Sequence, residues 1–310
     1  MSSAPSALET GLKRVLVATD FSEFSKKPVH HALAIARRHG AKFYLAHVVS
    51  SWGFTLAGPE AEEKALEAAW RDARQLESRL VTSGALAQLS HDVIVRHGNV
   101  WEQLEQVVEQ EQVDLIVIGT HGRTGLGKIV LGSVAEDIFR HASCPVLTVG
   151  PRVPEDPLPA LEVRHVLFPT DLSAESAQAA QHALLAAREY GARLTLLHVH
   201  EQLESDAAGD RERVLSVLEA RLRDFLPVGL DLPYNLNFRA EIGPIDETIL
   251  HFAREQNVGL IVLGLRSPDT YVNHLKWLHA YTIICEACCP VLTVRSHTRG
   301  KLSATQSVPC

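Results

Sequence analysis

The chain has 310 residues and a formal charge of −7, with 46% apolar and 22% charged residues, 19 Gly and 15 Pro. At ~150 residues per domain there is room for two cores, and the composition excludes disulfide-dense, collagen-like and wholly disordered chains. The acidic balance offers no electrostatic footprint for long nucleic acid, so none is expected as a partner.

In chain order, the β-branched run Arg14 to Ala18 predicts a strand. Lys27 to His39 predicts a helix closed by Gly40, the usual left-handed stop. Phe43 to Val49 is the next strand. Leu66, Trp70, Ala73, Leu76 and Leu80 recur at steps of three and four and predict a long amphipathic helix. Val93 and Val95 mark a third strand, Trp101 to Gln112 a helix, Leu115 to Ile118 a fourth strand, Ser133 to His141 a helix and Val146 to Val149 a fifth strand. Alternation of this kind implies a doubly wound parallel sheet with helices on both faces, whose ligands sit at the carboxyl ends of the strands.

The pattern is then written a second time. Val15 to Ser22 returns as Val166 to Ser173, and Gly40 to Val48 as Gly191 to Val199, each 151 positions on. Asp114 to Gly119 and Cys144 to Val149 return as Gly259 to Gly264 and Cys289 to Val294, now 145 positions on. Six residues are therefore missing from the middle connection of the second copy. So long a period is a domain duplication, since solenoid repeats run at ~20 to 50 residues. The expected architecture is α/β, two tandem five-stranded doubly wound sheets: one domain over 1–150, a proline-rich stiff linker over 151–161, a second domain over 162–297 and a loose tail over 298–310. The opening segment has neither the basic nor the apolar region of a leader. No apolar run approaches the ~20 residues that cross a bilayer. Five cysteines, an odd number, fit a reducing compartment. The expectation is a cytoplasmic protein with no membrane contact.

After the fourth predicted strand comes Gly119-Thr-His-Gly122-Arg-Thr-Gly125-Leu-Gly127-Lys-Ile-Val-Leu-Gly132-Ser133. Glycines let a backbone turn sharply and bring amide N–H groups against an anion, and Gly132-Ser133 opens a helix whose N-terminus supplies further donors. Arg123 and Lys128 are the nearby cations. Gly119, Gly122, Gly132 and Ser133 fill a pattern of Gly, two residues, Gly, nine residues, Gly and a hydroxyl. In this the chain resembles the ATP-binding members of the universal stress protein family, and the likeness covers nearly the whole chain twice.

The resemblance implies that Asp20 hydrogen-bonds a ribose and the Val48 backbone reads the adenine edge. It implies that Gly119, Gly122, Gly132 and Ser133 hold the phosphates of ATP, with Mg or Mn on the phosphate oxygens. It also implies that the last strands of the two halves pair, as the family dimerises, leaving a further homodimer and an unknown protein partner open. The second half departs from the motif. Gly122 becomes Ser267, Gly132 becomes Trp277 and Ser133 becomes Leu278, so one competent site is expected, in the first domain. The expected function is an ATP-binding stress-response signalling module, at most a slow ATPase. The rivals are a nucleotide-independent dimeric interaction protein and an enzyme of the adenine-nucleotide alpha-hydrolase-like group.

Plainer readings stand beside these. Ser133 with Glu136 spells a capping box, and Asp20 has Asp171 as its match in the half that lacks the motif, so its carboxylate could cap a helix beginning near Ser22. Gly122 to Lys128 approaches a P-loop, but residue 129 is Ile where magnesium needs Ser or Thr. His121 has no carboxylate placed beside it and reads as a packing or phosphate-donating residue. His47 and His198 match between halves, which suggests packing. Cys285, Cys288 and Cys289 read as free buried thiols.

Overall fold

The computed structural model describes residues 11–51, 58–120, 132–154, 162–201, 208–226, 235–265 and 274–295. The first half runs β1 (Arg14–Ala18), α1 (Lys26–His39), β2 (Lys42–Ser50), α2 (Pro59–Thr82), β3 (His91–Gly98), α3 (Val100–Gln110), β4 (Leu115–Gly119), α4 (Ser133–His141) and β5 (Val146–Val149). The second runs β6 (His165–Pro169), α5 (Ala174–Tyr190), β7 (Arg193–His200), α6 (Ala208–Phe225), β8 (Leu236–Ile242), α7 (Ile245–Glu255), β9 (Leu260–Leu265), α8 (His274–Glu286) and β10 (Val291–Arg295). Every element expected in the first half is present. The helix expected to run on to Gln112 stops at Gln110, because Gln112 takes a left-handed φ of 50°.

All ten strands form one sheet, in the order β3-β2-β1-β4-β5-β10-β9-β6-β7-β8. The two five-stranded halves are parallel within themselves and meet at β5 and β10, which pair antiparallel with Val146 opposite Thr293 and Thr148 opposite Val291. The two expected sheets are thus halves of one. Central strands buried on both faces read as unbroken apolar runs, as in Val15-Leu-Val and Leu260-Ile-Val-Leu. One face is covered by α1, α2, α5 and α6 and the other by α3, α4, α7 and α8, giving two continuous cores across both halves.

Gly40 and Gly191 close α1 and α5 at φ 62° and 60°, so the left-handed stop recurs in each copy. At the joint, Leu147 and Leu292, Pro145 and Pro290, and Ile35 and Ala186 line a cavity of about 60 Å³ in matched pairs. Arg38 donates to the Glu189 carbonyl at 2.9 Å and lies over the Tyr190 ring, while His39 meets the Glu189 carboxylate at 2.7 Å. The residues leaving β5 are held too, Lys27 donating to the carbonyls of Pro151 and Val153 at 2.8 Å each. No described helix is long and apolar enough to cross a membrane.

A glycine-edged crevice in the first half

Within the first half the chain passes from β1 to β2 on one side and reaches β4 on the other, so strand order reverses between β1 and β4. The region beyond their carboxyl ends is the crevice position at which α/β sheets hold ligands. Asp20 follows β1, Val48 lies near the end of β2, Gly119 ends β4, and Gly132 and Ser133 open α4. These five sequence candidates therefore share one edge of the sheet. Gly122 and Arg123, with His121 and Lys128, lie outside the described residues.

The loops after β1 and β6 open with the same turn. Thr19 Oγ1 donates to Ser25 Oγ at 2.9 Å and accepts the Phe21 N–H at 3.0 Å, and Phe21 turns the chain at φ 61°. Thr170, Ser176 and Leu172 repeat this at 2.9 Å, 3.0 Å and 60°. Asp20 Oδ1 accepts from the Ser22 N–H at 3.0 Å and the Ser22 hydroxyl at 2.7 Å, an Asx turn, and Asp171 takes the Ser173 N–H at 3.1 Å. The carboxylates thus stiffen the loop and neither caps the long helix, which starts at Lys26 in the first half and, capped by the Ser173 side chain on the Ser176 N–H, at Ala174 in the second. His47 Nδ1 contacts the Thr19 carbonyl at 2.6 Å, beneath the Phe21 ring, and His198 contacts the Thr170 carbonyl at 2.9 Å. Burial, against the pull of that carbonyl, lowers the His198 pKa and keeps the ring neutral. Both histidines do the packing task expected of them.

The last rung between β1 and β2 is Thr19 N–H to the Ala46 carbonyl at 2.9 Å. Peptide groups alternate sides along a strand, so the Val48 N–H and C=O point the same way as those of Ala46. At that level β1 has already turned off through Phe21, and the Val48 peptide faces the crevice.

The segment after β4 leaves and returns at one point. The Gly132 N–H donates to the Thr120 carbonyl at 3.1 Å, which ties together the described residues on either side of 121–131. Gly132 is the N-cap of α4 at φ −64° and ψ 146°, a conformation open to any residue. Among the described residues a Cβ there would meet only the Thr120 carbonyl oxygen, at 3.9 Å. Neither backbone strain nor these neighbours demand glycine. The next three amides, of Ser133, Val134 and Ala135, belong to the first turn and have no intrahelical acceptor. The capping box is not formed: Ser133 is the first helical residue and exposed, no side chain caps the helix, and Glu136 instead takes Arg140 at 2.6 Å.

The matching place in the second half is shaped differently. α8 starts at His274, so the equivalents of Gly132 and Ser133, Trp277 and Leu278, lie inside the helix. The helix end has moved by about one turn, ~6 Å. Leu278 is exposed at 56%. His279 sits between two carboxylates, 3.3 Å from Asp246 and 3.7 Å from Glu201. Sequence reasoning missed this group, and the repeat offsets could have found it, since Val134, Trp101 and Ser50 stand at those positions in the first half. Gly264, the one motif glycine kept, has a packing reason: a Cβ would come 2.9 Å from the Ala179 Cβ on α5.

Comparison with known proteins gives a consistent likeness. The family described as "Universal stress protein family" matches residues 11–150 and again 162–295. A universal stress protein of Methanocaldococcus jannaschii is 31% identical over 140 residues, which are 44% of this chain and 81% of that one. Among solved structures, a universal stress protein of Archaeoglobus fulgidus superposes with a TM-score of 0.65 at 19% identity, covering 92% of this chain and 98% of that one. A functionally unknown protein of Pseudomonas aeruginosa gives 0.61 at 17% identity, covering 94% and 95%. At these identities the two structures speak to fold alone.

Proposed function

The chain belongs to the universal stress protein family, carrying its domain twice, and from that premise we propose that it is a nucleotide-responsive stress module with a single ATP site, in the first half. The observation that carries this reading is the setting of Gly132 at the N-cap of α4. A glycine that neither strain nor described neighbours require stands where three amide donors of α4 and its dipole face the crevice. A phosphate oxygen is the group that profits from a missing Cβ there.

On this reading the triphosphate lies along Gly119, Gly122, Gly132 and Ser133, with Arg123 as counter-charge. The exposed Ser133 hydroxyl is free of capping duty. Asp20 meets the ribose, held in place by the Asx turn on Ser22. The Val48 peptide offers one donor and one acceptor to the adenine edge, the pairing that separates adenine from guanine. Among the described residues no His, Cys, Asp and Glu group is arranged to hold a metal ion, so Mg or Mn would arrive on the phosphates and screen their charge. The second half keeps the loop but moves its helix end and sets Asp246 and Glu201 at the mouth. Carboxylates there repel a polyphosphate, and that half serves as a built-in partner.

Titration calorimetry with Mg-ATP tests the reading. One molecule bound per chain is expected, lost in Gly132→Trp and kept in Trp277→Gly. No uptake at millimolar ATP would make the chain a nucleotide-independent interaction protein, and steady release of several phosphates per second would make it an enzyme.

A further inference from the structure

The joint cavity of about 60 Å³ lies at the other end of the sheet from the crevice. Asp114, Gly259, Pro145 and Pro290 line it, and they stand just before the amino ends of β4, β9, β5 and β10. Leu147 and Leu292, paired across the antiparallel seam, bring both halves to its wall. The repeat shows where the joint is short of atoms. Ile35 of α1 and Ala186 of α5 are matched positions, both buried and both in the lining. Ala186 lacks the methyl and ethyl groups that Ile35 brings, so the wall on the α5 side is thinner.

The chemistry of the walls selects an occupant. Ordered water needs about two to four polar partners, which leucine and proline side chains do not supply. An anion would meet the carboxylates of Asp114 and Glu189, which both line the cavity. A cation would find those carboxylates engaged. Asp114 Oδ2 accepts the Lys13 and Arg14 N–H groups at 2.8 and 2.9 Å, and Glu189 Oε1 meets His39 at 2.7 Å and Arg38 at 3.3 Å. A neutral molecule remains. Tyr190 also lines the cavity, and among the described residues its hydroxyl has no hydrogen-bond partner. Burial, with Glu189 beside it, pushes the phenol up to about 12, so it stays protonated and can both donate and accept. On the scale by which a cavity of about 150 Å³ holds benzene, this one holds an alkyl body of about two or three carbons.

We propose that the joint cavity is a binding site for a short-chain aliphatic alcohol, its alkyl body packed against Leu147, Leu292 and Ala186 and its hydroxyl bonded to that of Tyr190. Because the lining comes from both halves, an occupant binds the joined state and favours it. The site is independent of whether the crevice takes a nucleotide.

Methyl NMR of the full chain at neutral pH tests this, with n-propanol as the probe. A reducing agent is kept present, because Cys288, expected from sequence to be buried, is half-exposed, unlike Cys285 and Cys289. The alcohol should shift the Leu147 and Leu292 methyl signals along a saturating curve. Propionate and propylammonium, of the same length, should bind more weakly by about tenfold or more, since each brings a charge to an apolar wall. Tyr190→Phe should weaken n-propanol by about two- to tenfold, the loss of one hydrogen bond. Ala186→Ile, which restores the missing groups, should abolish the shifts. A shift that rises linearly without saturating, or a charged analogue that binds as tightly as the alcohol, would overturn the assignment. So would wild-type affinity in either variant. The first two readouts come from the native chain, so they decide even if a variant misfolds.

Discussion

Two glycines show how the same letter carries different physics. At Gly264 a Cβ has nowhere to go, being 2.9 Å from the Ala179 Cβ. Gly264→Ala should therefore cost about 1–3 kcal/mol through overpacking, read as a lower urea midpoint at unchanged slope. At Gly132 a Cβ fits, and φ is −64°. Ala there loses some N-capping ability but restricts the unfolded chain, two terms of opposite sign and each at most about 1 kcal/mol. Gly132→Ala should thus leave the urea midpoint almost unmoved while weakening ATP binding at least tenfold in calorimetry. If stability falls with affinity, Gly132 is a packing glycine like its distant relative. Sequence alone does not separate the two, because the distinction lies in what each Cα faces. The motif spacing put Gly119, Gly132 and Ser133 at one edge of the sheet, whereas the capping box it also spelled is not formed, because the N-cap is Gly132 and Ser133 is already inside α4.

At the scale of elements, the strands and helices of the first half were legible, since their apolar periods are regular and α1 stops at a glycine in a left-handed position. The start of α8 was not. Nothing in the repeat announces that this helix gains a turn, and the acidic group around His279 follows from three separate replacements, each unremarkable alone. Matched helices also carry matched histidines: His31 on α1 and His182 on α5. Desolvation lowers both pKa values below 6.5, while the carbonyls of Lys27 and Gln178 work against it. His165 and His198 are lowered for the same first cause. The fold holds these rings neutral, whereas the unfolded chain protonates them near 6.5. Their contribution is complete above that pH and is lost as pH falls toward the folded values. The urea midpoint should drop between roughly pH 7.5 and pH 5, and the drop should shrink in His31→Gln/His182→Gln. An equal drop in that variant would assign the acid sensitivity to other groups.

Across the whole molecule, the joint at β5 and β10 makes one sheet and two shared cores, so the halves should unfold together. Leu292→Ala, opposite Leu147 at the joint, should cost about 2–5 kcal/mol and still give a single calorimetric transition. Saturating ATP should raise that one transition, by about 2.7 kcal/mol at a hundredfold excess over Kd. Two transitions, only one of them ATP-sensitive, would mean that the halves are energetically separate. Arg38→Ala is expected to cost under about 1 kcal/mol, because its bridge to Glu189 is partly exposed. That the last strands would meet was foreseen from the family likeness. The pairing itself, Leu292 opposite Leu147, is seen only when both halves are present.

The antiparallel seam also sets what kind of signal the molecule can give. In an assembly of two identical copies, any change that blocks one crevice blocks both, and two live crevices can talk to each other. Here the two copies are separate stretches of one chain and can change independently. On the proposed single-site reading, one receptor per chain gives a plain hyperbolic saturation curve, and the response to nucleotide supply is graded, with no threshold.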